Sequence, residues 1–417
     1  MGHKHQGLYI ASDGEGYYMY LEALFIHGTF ENIPVVTAYE YKPYPGTKKI
    51  ATRFTYGVAL MEAPFFGLAQ LSRKIQGLKT DHPFTNDISV GLLFSGCFYG
   101  VLGLFFVFKT LSRHFENKKT VWWSTIILYF GTNVLFYAIR EPTMSHVYTF
   151  CLAAALVYIL PSFWRGFTPN GGASPVLRTF LVGFLLALIT LIRPTNIVYV
   201  LIVLLYDVHT REDLKNRAQL ILKNLKTMWI LPFMGILLAI PQMAYWHYLS
   251  GKWIMNLYRE TFDAGFIWGK PELLKIFFHP CNGFLFYTPL MGFALVGLIW
   301  LSLKNQLNGR VIMLMFLITA YLSASWFMWS FGHAFGHRPF IDYYPLLVFG
   351  LAFYINELLK SKMLWFKYLN FTIFTALIII NFRFTIIPFY WQVEPDGRNI
   401  EDLRKAWNWV IDFSKWF

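Results

Sequence analysis

The chain is poor in charge. Of its 417 residues only 14% are Asp, Glu, Lys or Arg, against roughly a quarter in an ordinary soluble domain. A water-soluble fold of this length would need more polar surface than that. Cysteine is scarce as well. Cys97 and Cys151 lie inside apolar blocks and Cys281 in a loop, which excludes a disulfide framework and offers no zinc spacing. There is no glycine-rich phosphate loop, no internal repeat, and no cleavable signal peptide is visible. Runs of about ten residues with alternating polarity are missing, and with them the pattern of a transmembrane β-barrel. No basic soluble domain is present, so nucleic acid is excluded as a partner. The net charge of +13 is assigned to loops facing the cytoplasm.

What the chain has in abundance is apolar and aromatic residues, 56% and 20% of the total. They come in long blocks such as 88–108, 285–303 and 371–387, each able to span a hydrocarbon core of about 30 Å as a helix. The expected fold is an all-α polytopic membrane protein. Ten spans are expected, at 88–108, 121–138, 147–161, 177–192, 195–207, 228–247, 284–303, 311–328, 341–358 and 368–388. The fourth and fifth are short and meet at Arg193-Pro194-Thr195-Asn196. Merging them would put the five basic residues of 208–227 outside, against the positive-inside rule. Kept apart, they leave the basic loops 109–120, 162–176, 208–227, 304–310 and 359–367 all on the inner side.

Residues 1–87 then form an outer region, 88–389 the membrane domain and 390–417 an outer tail. The outer region carries helical patterns at about 17–28 and 51–76. The second, with Tyr56, Leu60, Pro64, Phe65, Leu68 and Arg73, reads as an amphipathic helix lying on the membrane surface. The tail repeats Leu403, Trp407, Val410, Phe413 and Phe417 at helical spacing. An outer N-terminal region requires a span before residue 1, so the chain is expected to lack its natural first span. An apolar run of about 20 residues in the upstream reading frame would support that; a stop codon close to Met1 would refute it.

The polar motifs gather at the outer span ends. They are Asp13-Gly14-Glu15-Gly16-Tyr17-Tyr18, Arg140-Glu141-Pro142-Thr143-Met144-Ser145-His146, Arg193-Pro194-Thr195-Asn196, His279-Pro280-Cys281-Asn282-Gly283 and Gly332-His333-Ala334-Phe335-Gly336-His337-Arg338-Pro339-Phe340. Ionisable groups at membrane depth or rim are candidates for function. Asp13 and Glu15 sit on a glycine turn, where a carboxylate can take a proton from an attacking hydroxyl. Taken locally, an Asx-turn before a helix at Tyr17 explains the same residues more simply. Glu141 and His146 read as capping and interfacial hydrogen-bonding groups. Asp13, Glu141 and His146 are ligand types that suit a divalent cation, but no spacing demands one, so no cofactor is assigned. Arg140, Arg193 and Arg338 carry donor forks that suit phosphate oxygens, or simply snorkel to headgroups. Arg383 lies inside the last span and needs a partner there.

Four of these segments together resemble bacterial GT-C fold glycosyltransferases, the multi-spanning enzymes related to protein O-mannosyltransferases and lipid A aminoarabinose transferases. Ser12–Tyr18 with Tyr20-Leu21 looks like their first outer loop, and Gly57–Phe65 like their second surface helix. Met144-Ser145-His146 looks like their second outer loop, and Trp326–Pro339 like their late outer loop. Arg193-Pro194-Thr195-Asn196 fits as well. The resemblance covers nearly the whole chain in order. It departs from the family in lacking the first span, and in having Asp-Gly-Glu where the mannosyltransferases have a longer Asp-Glu-containing motif.

The resemblance implies a GT-C-like bundle of about ten spans with outer surface helices. It implies a polyprenyl-phosphate-sugar donor within the lipid bilayer and a glycan, lipid or protein acceptor. The reaction would be one inverting displacement on the periplasmic side of a bacterial inner membrane. Asp13 would be the base, with Glu15 its runner-up. Glu141 and His146 would orient the acceptor, and Arg338 and Arg193 would meet the phosphate. Tyr17, Tyr18, Arg140, Asn196 and His333 complete the expected substrate contacts. The other class that fits a multi-spanning chain is a transporter or flippase of a lipid-linked or small substrate. That class wants polar groups at the bilayer midplane in broken helices of two related halves, whereas here they cluster on one rim.

Overall fold

The computed structural model describes residues 10, 12–35, 40–168, 174–332, 334–386 and 404. His333 and all of the expected tail except Arg404 lie outside these residues. The N-terminal region opens with α1 (Asp13–Leu21), which widens into a π-helical turn (Glu22–His27) closed by Gly28 at φ 66°. A short antiparallel pair follows, β1 (Tyr41–Pro43) with β2 (Ile50–Thr52), in the register Tyr41 to Thr52. Next come α2 (Gly57–Ile75), α3 (Asn86–His114), α4 (Lys118–Phe130), α5 (Val134–Ile139), α6 (Ser145–Arg165) and α7 (Pro175–Ile192). A 3-10 turn (Pro194–Val198) leads to α8 (Tyr199–Leu205), then α9 (Arg211–Lys223), α10 (Leu225–Met228) and α11 (Ile230–Ser250). Three short helices, α12 (Leu257–Glu260), α13 (Leu273–Phe278) and α14 (Phe284–Tyr287), precede α15 (Leu290–Leu303) and α16 (Gly309–Ala324). A second 3-10 turn (Arg338–Tyr343) then enters α17 (Tyr344–Lys360), and α18 is Leu364–Ile386.

This is an all-α polytopic membrane architecture. Five helices among the described residues are long and apolar enough to cross a bilayer: α3, α6, α7, the run Leu225–Ser250, and α18. Each of the other five expected spans is also helical, but shorter or broken. The span expected at 121–138 is interrupted at Gly131-Thr132-Asn133 between α4 and α5. The one expected at 341–358 begins with the 3-10 turn at Arg338. Pro194 stops α7, because a ring without an N–H cannot continue the ladder. The basic loop at 208–227 holds α9, which buries no residue and is closed by a capping box between Thr210 and Asp213.

Burial sorts the helices. In α6 nearly every residue from Ser145 to Ala154 is enclosed, whereas α3 exposes Phe94, Phe98, Val101 and Phe105 along one side. Thus α6 is the central post, packed on α3 and α7, and α3 is peripheral. The tightest crossing is α15 on α17. Gly297 and Gly350 face each other so closely that a Cβ on Gly350 would lie 2.7 Å from the backbone nitrogen of Leu298. Small residues that let helix backbones meet are a typical device where lipid removes the hydrophobic drive for association.

Two N-terminal patterns differ from expectation. The first helix begins at Asp13 rather than Tyr17, so both acids lie in its first turn and Gly14–Leu21 are all buried. The cause is tertiary. Gly14 packs on Thr143 and Gly16 on the Phe54 ring with no room for a Cβ, so neighbouring segments hold the glycines in a conformation they would not keep alone. The pattern at 51–76 divides: Ile50–Thr52 is a strand and the helix starts at Gly57. Helix α2 is amphipathic, burying Val58, Met61, Glu62 and Phe66 while exposing Leu60, Leu68, Leu71 and Ile75.

Candidate functional site

Segments distant in sequence, with Ser145 at the head of α6 among them, enclose one cavity of about 480 Å³. The start of α1 contributes Asp13 and Tyr17, and the strand end contributes Arg53 and Phe54. The break after α7 contributes Arg193 and Asn196. The segment 255–266 forms a wall with Tyr258 and Phe266, and the last turns around 322–343 bring Trp326, Arg338 and Asp342. The lining is largely aromatic and aliphatic, with charge gathered at one end. Pockets of this size and composition suit a small polar group carried on an apolar body.

Asp13 is the centre of the charged end. Its Oδ2 accepts from Nη2 of Arg338 at 2.7 Å, and its Oδ1 lies 3.7 Å from Nη2 of Arg53. Burial alone would push the Asp13 carboxyl up, but Arg338 and Arg53 together outweigh it and hold it below the usual carboxylate range. Arg53 also binds Glu40 at 2.5 Å and lies over the rings of Phe262 and Tyr258 at 5.4 and 6.0 Å, which ties the wall to the floor. Burial, with Asp13 adding, pushes the Glu40 carboxyl up to about 7 against the pull of Arg53. Burial opposes the charge on Arg338, yet Asp13 more than restores it. Burial and the charge of Asp13 push the Tyr17 hydroxyl up to about 12, so it enters the cavity as a neutral donor.

A second group adjoins the first. His146 donates from Nδ1 to Oδ1 of Asp342 at 2.9 Å, and Asn196 donates from Nδ2 to Oδ2 at 2.9 Å. Nε of Arg193 stands 3.4 Å from the same Oδ2. The cluster as a whole therefore sets three guanidiniums against Asp13, Asp342 and a Glu40 that keeps its proton up to near neutrality. Such a balance favours an incoming anion.

Of the residues expected at the site, Asp13, Tyr17, Arg193, Asn196 and Arg338 line the cavity. His146 is buried behind them, at 2% exposure. Glu15 and Tyr18 fall on other faces of α1 and do not line it. Glu15 is buried near Glu22, and the Tyr18 hydroxyl donates to the Pro83 carbonyl at 2.7 Å. Arg140 and Glu141 stand outside the lining as well, although Glu141 adds to the negative potential at Arg338. His333 lies outside the described residues.

Sequence reasoning missed Asp342, Arg53 and Glu40. Asp342 had a signal, an acid at the head of an otherwise apolar span. Arg53 and Glu40 had none, being ordinary charges in a stretch read as loop and surface helix. Asp13, Glu40 and Asp342 are each already paired with a guanidinium or imidazole, and no group of three metal-ligand types gathers among the described residues.

No family model matches the chain, and no curated protein matches it. Among solved structures it is similar to the archaeal oligosaccharyltransferase AglB from Archaeoglobus fulgidus in complex with an inhibitory peptide and a dolichol-phosphate. That match has 13% identity, a TM-score of 0.48, and coverage of 90% of this chain and 51% of the other. The apo form of the Archaeoglobus fulgidus oligosaccharyltransferase gives 15% identity and a TM-score of 0.47, with coverages of 96% and 54%. Its complex with Zn and sulfate gives 15% and 0.47, with 88% and 48%. The chain spans about half the length of these structures.

Proposed function

We propose that the protein is a membrane glycosyltransferase that moves a sugar from a polyprenyl-phosphate donor to an acceptor hydroxyl. One observation carries this reading: the Asp13 carboxylate sits against Arg338 and Arg53, with Arg193 close by in the same lining, at the charged end of an apolar cavity. A lipid phosphodiester needs that combination, with cations for its phosphate and apolar walls for the start of its chain. The ion pairs alone would not justify the arrangement, since enclosed pairs contribute little net stability over well-packed apolar residues.

In the reaction the acceptor oxygen forms a bond to the anomeric carbon as the bond from that carbon to the phosphate oxygen breaks. Asp13 takes the proton of the acceptor hydroxyl, and the electron pair of the broken bond leaves with the polyprenyl phosphate. Arg338, Arg193 and Arg53 neutralise the charge that grows on that phosphate. Because the leaving group is already stabilised, no strong general acid is required. Attack opposite the leaving phosphate inverts the anomeric configuration. Tyr17 and Asn196 supply neutral donors along the path. Glu15 stays the alternative base, and it would have to reach the acceptor from the far face of α1. The active face would be periplasmic, on a bacterial inner membrane, with a glycan, lipid or protein as acceptor.

The test is transfer of radiolabelled hexose from polyprenyl-phosphate hexoses in membranes holding the protein, with Asp13→Asn alongside. Transfer that depends on Asp13 is the expected result. Consumption of no lipid-linked sugar by well-folded protein would overturn the reading and favour transport of a lipid-linked substrate.

A further inference from the structure

Asp342 is 1% exposed, yet it borders the cavity. No step of the transfer described above uses it. A carboxylate enclosed this far is costly unless its oxygens are filled, and those of Asp342 are filled in a directed way. Oδ1 accepts from His146 and Oδ2 from Asn196, and Nε of Arg193 stands 3.4 Å from Oδ2 as an ion pair. The partners are themselves fixed. The Tyr343 hydroxyl donates to Oδ1 of Asn196 at 3.0 Å, and the Tyr199 hydroxyl donates to the Asp342 carbonyl at 2.6 Å. Nη1 of Arg193 lies 3.0 and 3.1 Å from the two ring nitrogens of His146, a contact with the imidazole as a whole. Two of the three guanidinium nitrogens thereby face a partner, Nε in the ion pair with Asp342 and Nη1 against the ring that Asp342 orients. Nη2 has no partner among the described residues, and Arg193 lines the cavity.

We propose that Asp342 is a positioning residue: holding Nε of Arg193 directly and Nη1 through His146, it fixes the guanidinium so that Nη2 meets a phosphate oxygen of the lipid donor. The inference rests on reading the cavity as a lipid-phosphate site, and it adds what makes Arg193 effective there. A free arginine side chain loses rotamer entropy when it grips an anion. Here that loss is taken on folding, and the planar donor fork is set in advance. Groups that orient a ligand-binding side chain typically change affinity by 10- to 100-fold when removed, as they do behind metal-bound histidines.

The geometry makes a prediction with an informative sign. If Asp342 were only a counter-ion, neutralising it would free the charge of Arg193 and tighten anion binding. If it positions Arg193, neutralising it weakens binding. The experiment uses the full chain in nanodiscs and farnesyl phosphate as probe, followed by the fluorescence of Trp326 and Trp246, which line the cavity. Asp342→Asn and Arg193→Gln are each expected to weaken binding about 10-fold. The double variant should bind no worse than Arg193→Gln alone, because the effect of Asp342 passes through the arginine. Should Asp342→Asn not fold, His146→Asn carries the test, with a smaller loss that likewise vanishes in the Arg193→Gln background. Wild-type or tighter binding by the Asp342→Asn protein, or losses that add in the double variant, would overturn the positioning role. Failure of the wild-type protein to bind farnesyl phosphate would remove the lipid-phosphate reading and this role with it.

Discussion

Replacing Asp13 by asparagine keeps the shape of the side chain and an oxygen for Arg338, so it tests the charge and basicity alone. Loss of a general base costs about 10²- to 10⁴-fold in rate, which is about 3 to 5 kcal/mol of barrier. The Asp13→Asn protein should lose transfer by that range while farnesyl phosphate binding holds or improves, since Arg338 and Arg53 are freed for the anion. The pH profile adds a second check. Arg338 and Arg53 hold the Asp13 carboxyl below the ordinary value of 3.8. Its contribution to stability is therefore present above that value and is lost as pH falls through the lowered one. The acid limb of kcat/KM belonging to Asp13 should thus lie below about pH 4. A bound phosphate draws Arg338 away and adds a negative neighbour, so the corresponding limb of kcat should sit higher. Steady-state transfer from a polyprenyl-phosphate hexose between pH 3 and 8 measures both. Transfer within 10-fold of wild type by folded Asp13→Asn protein, with an unchanged pH profile, would refute Asp13 as the base.

Arg338→Gln removes a guanidinium from the leaving phosphate and should lower kcat by about 10²- to 10³-fold, as loss of one oxyanion donor does. Arg338→Lys should recover only part of this, because an ammonium cannot bridge Asp13 and a phosphate as a planar fork does; kcat for the two variants measures the difference. Gly14→Ala forces a Cβ into Thr143, 2.8 Å from its Cβ. Overpacking of this kind costs about 1–3 kcal/mol, and the resulting shift of Asp13 should reduce transfer about 10²-fold, read from melting temperature and rate together. Glu40 has its carboxyl raised from 4.5 to about 7 by burial and by Asp13. The stability it adds is full below its unfolded value and declines as pH rises through about 7. Glu40→Gln should therefore flatten the fall in melting temperature between pH 4.5 and 7, and an unchanged slope would contradict the assignment.

Membrane architecture was legible in the chain because span formation depends on local composition: a block such as 88–108 must satisfy its own backbone in lipid, whatever its neighbours do. The broken helices were less legible. Gly131-Thr132-Asn133 interrupts a span because Asn133 reaches across to the Phe335 carbonyl at 2.9 Å and accepts from the Tyr344 hydroxyl, contacts that no window of sequence contains. The gathering of Asp13, Arg193 and Arg338, which line one cavity, was expected from the position of their motifs at span ends. Their division of labour did not follow. Asp13 and Glu15 look equivalent in sequence, two acids separated by one glycine. Only the packing of α1 against Thr143 and Phe54 turns one towards the cavity and the other into the protein. Asp342 reads as a stray charge at the head of a span until the chain folds and sets His146, Arg193 and Asn196 around it. The sequence alone determined that the chain is a helical membrane protein, since a long apolar helix is a sum over neighbouring residues. The tertiary structure decided which carboxylate faces which guanidinium, since residues such as Asp13 and Arg338, 325 positions apart, acquire an energy of interaction only when the helices bring them within hydrogen-bonding distance.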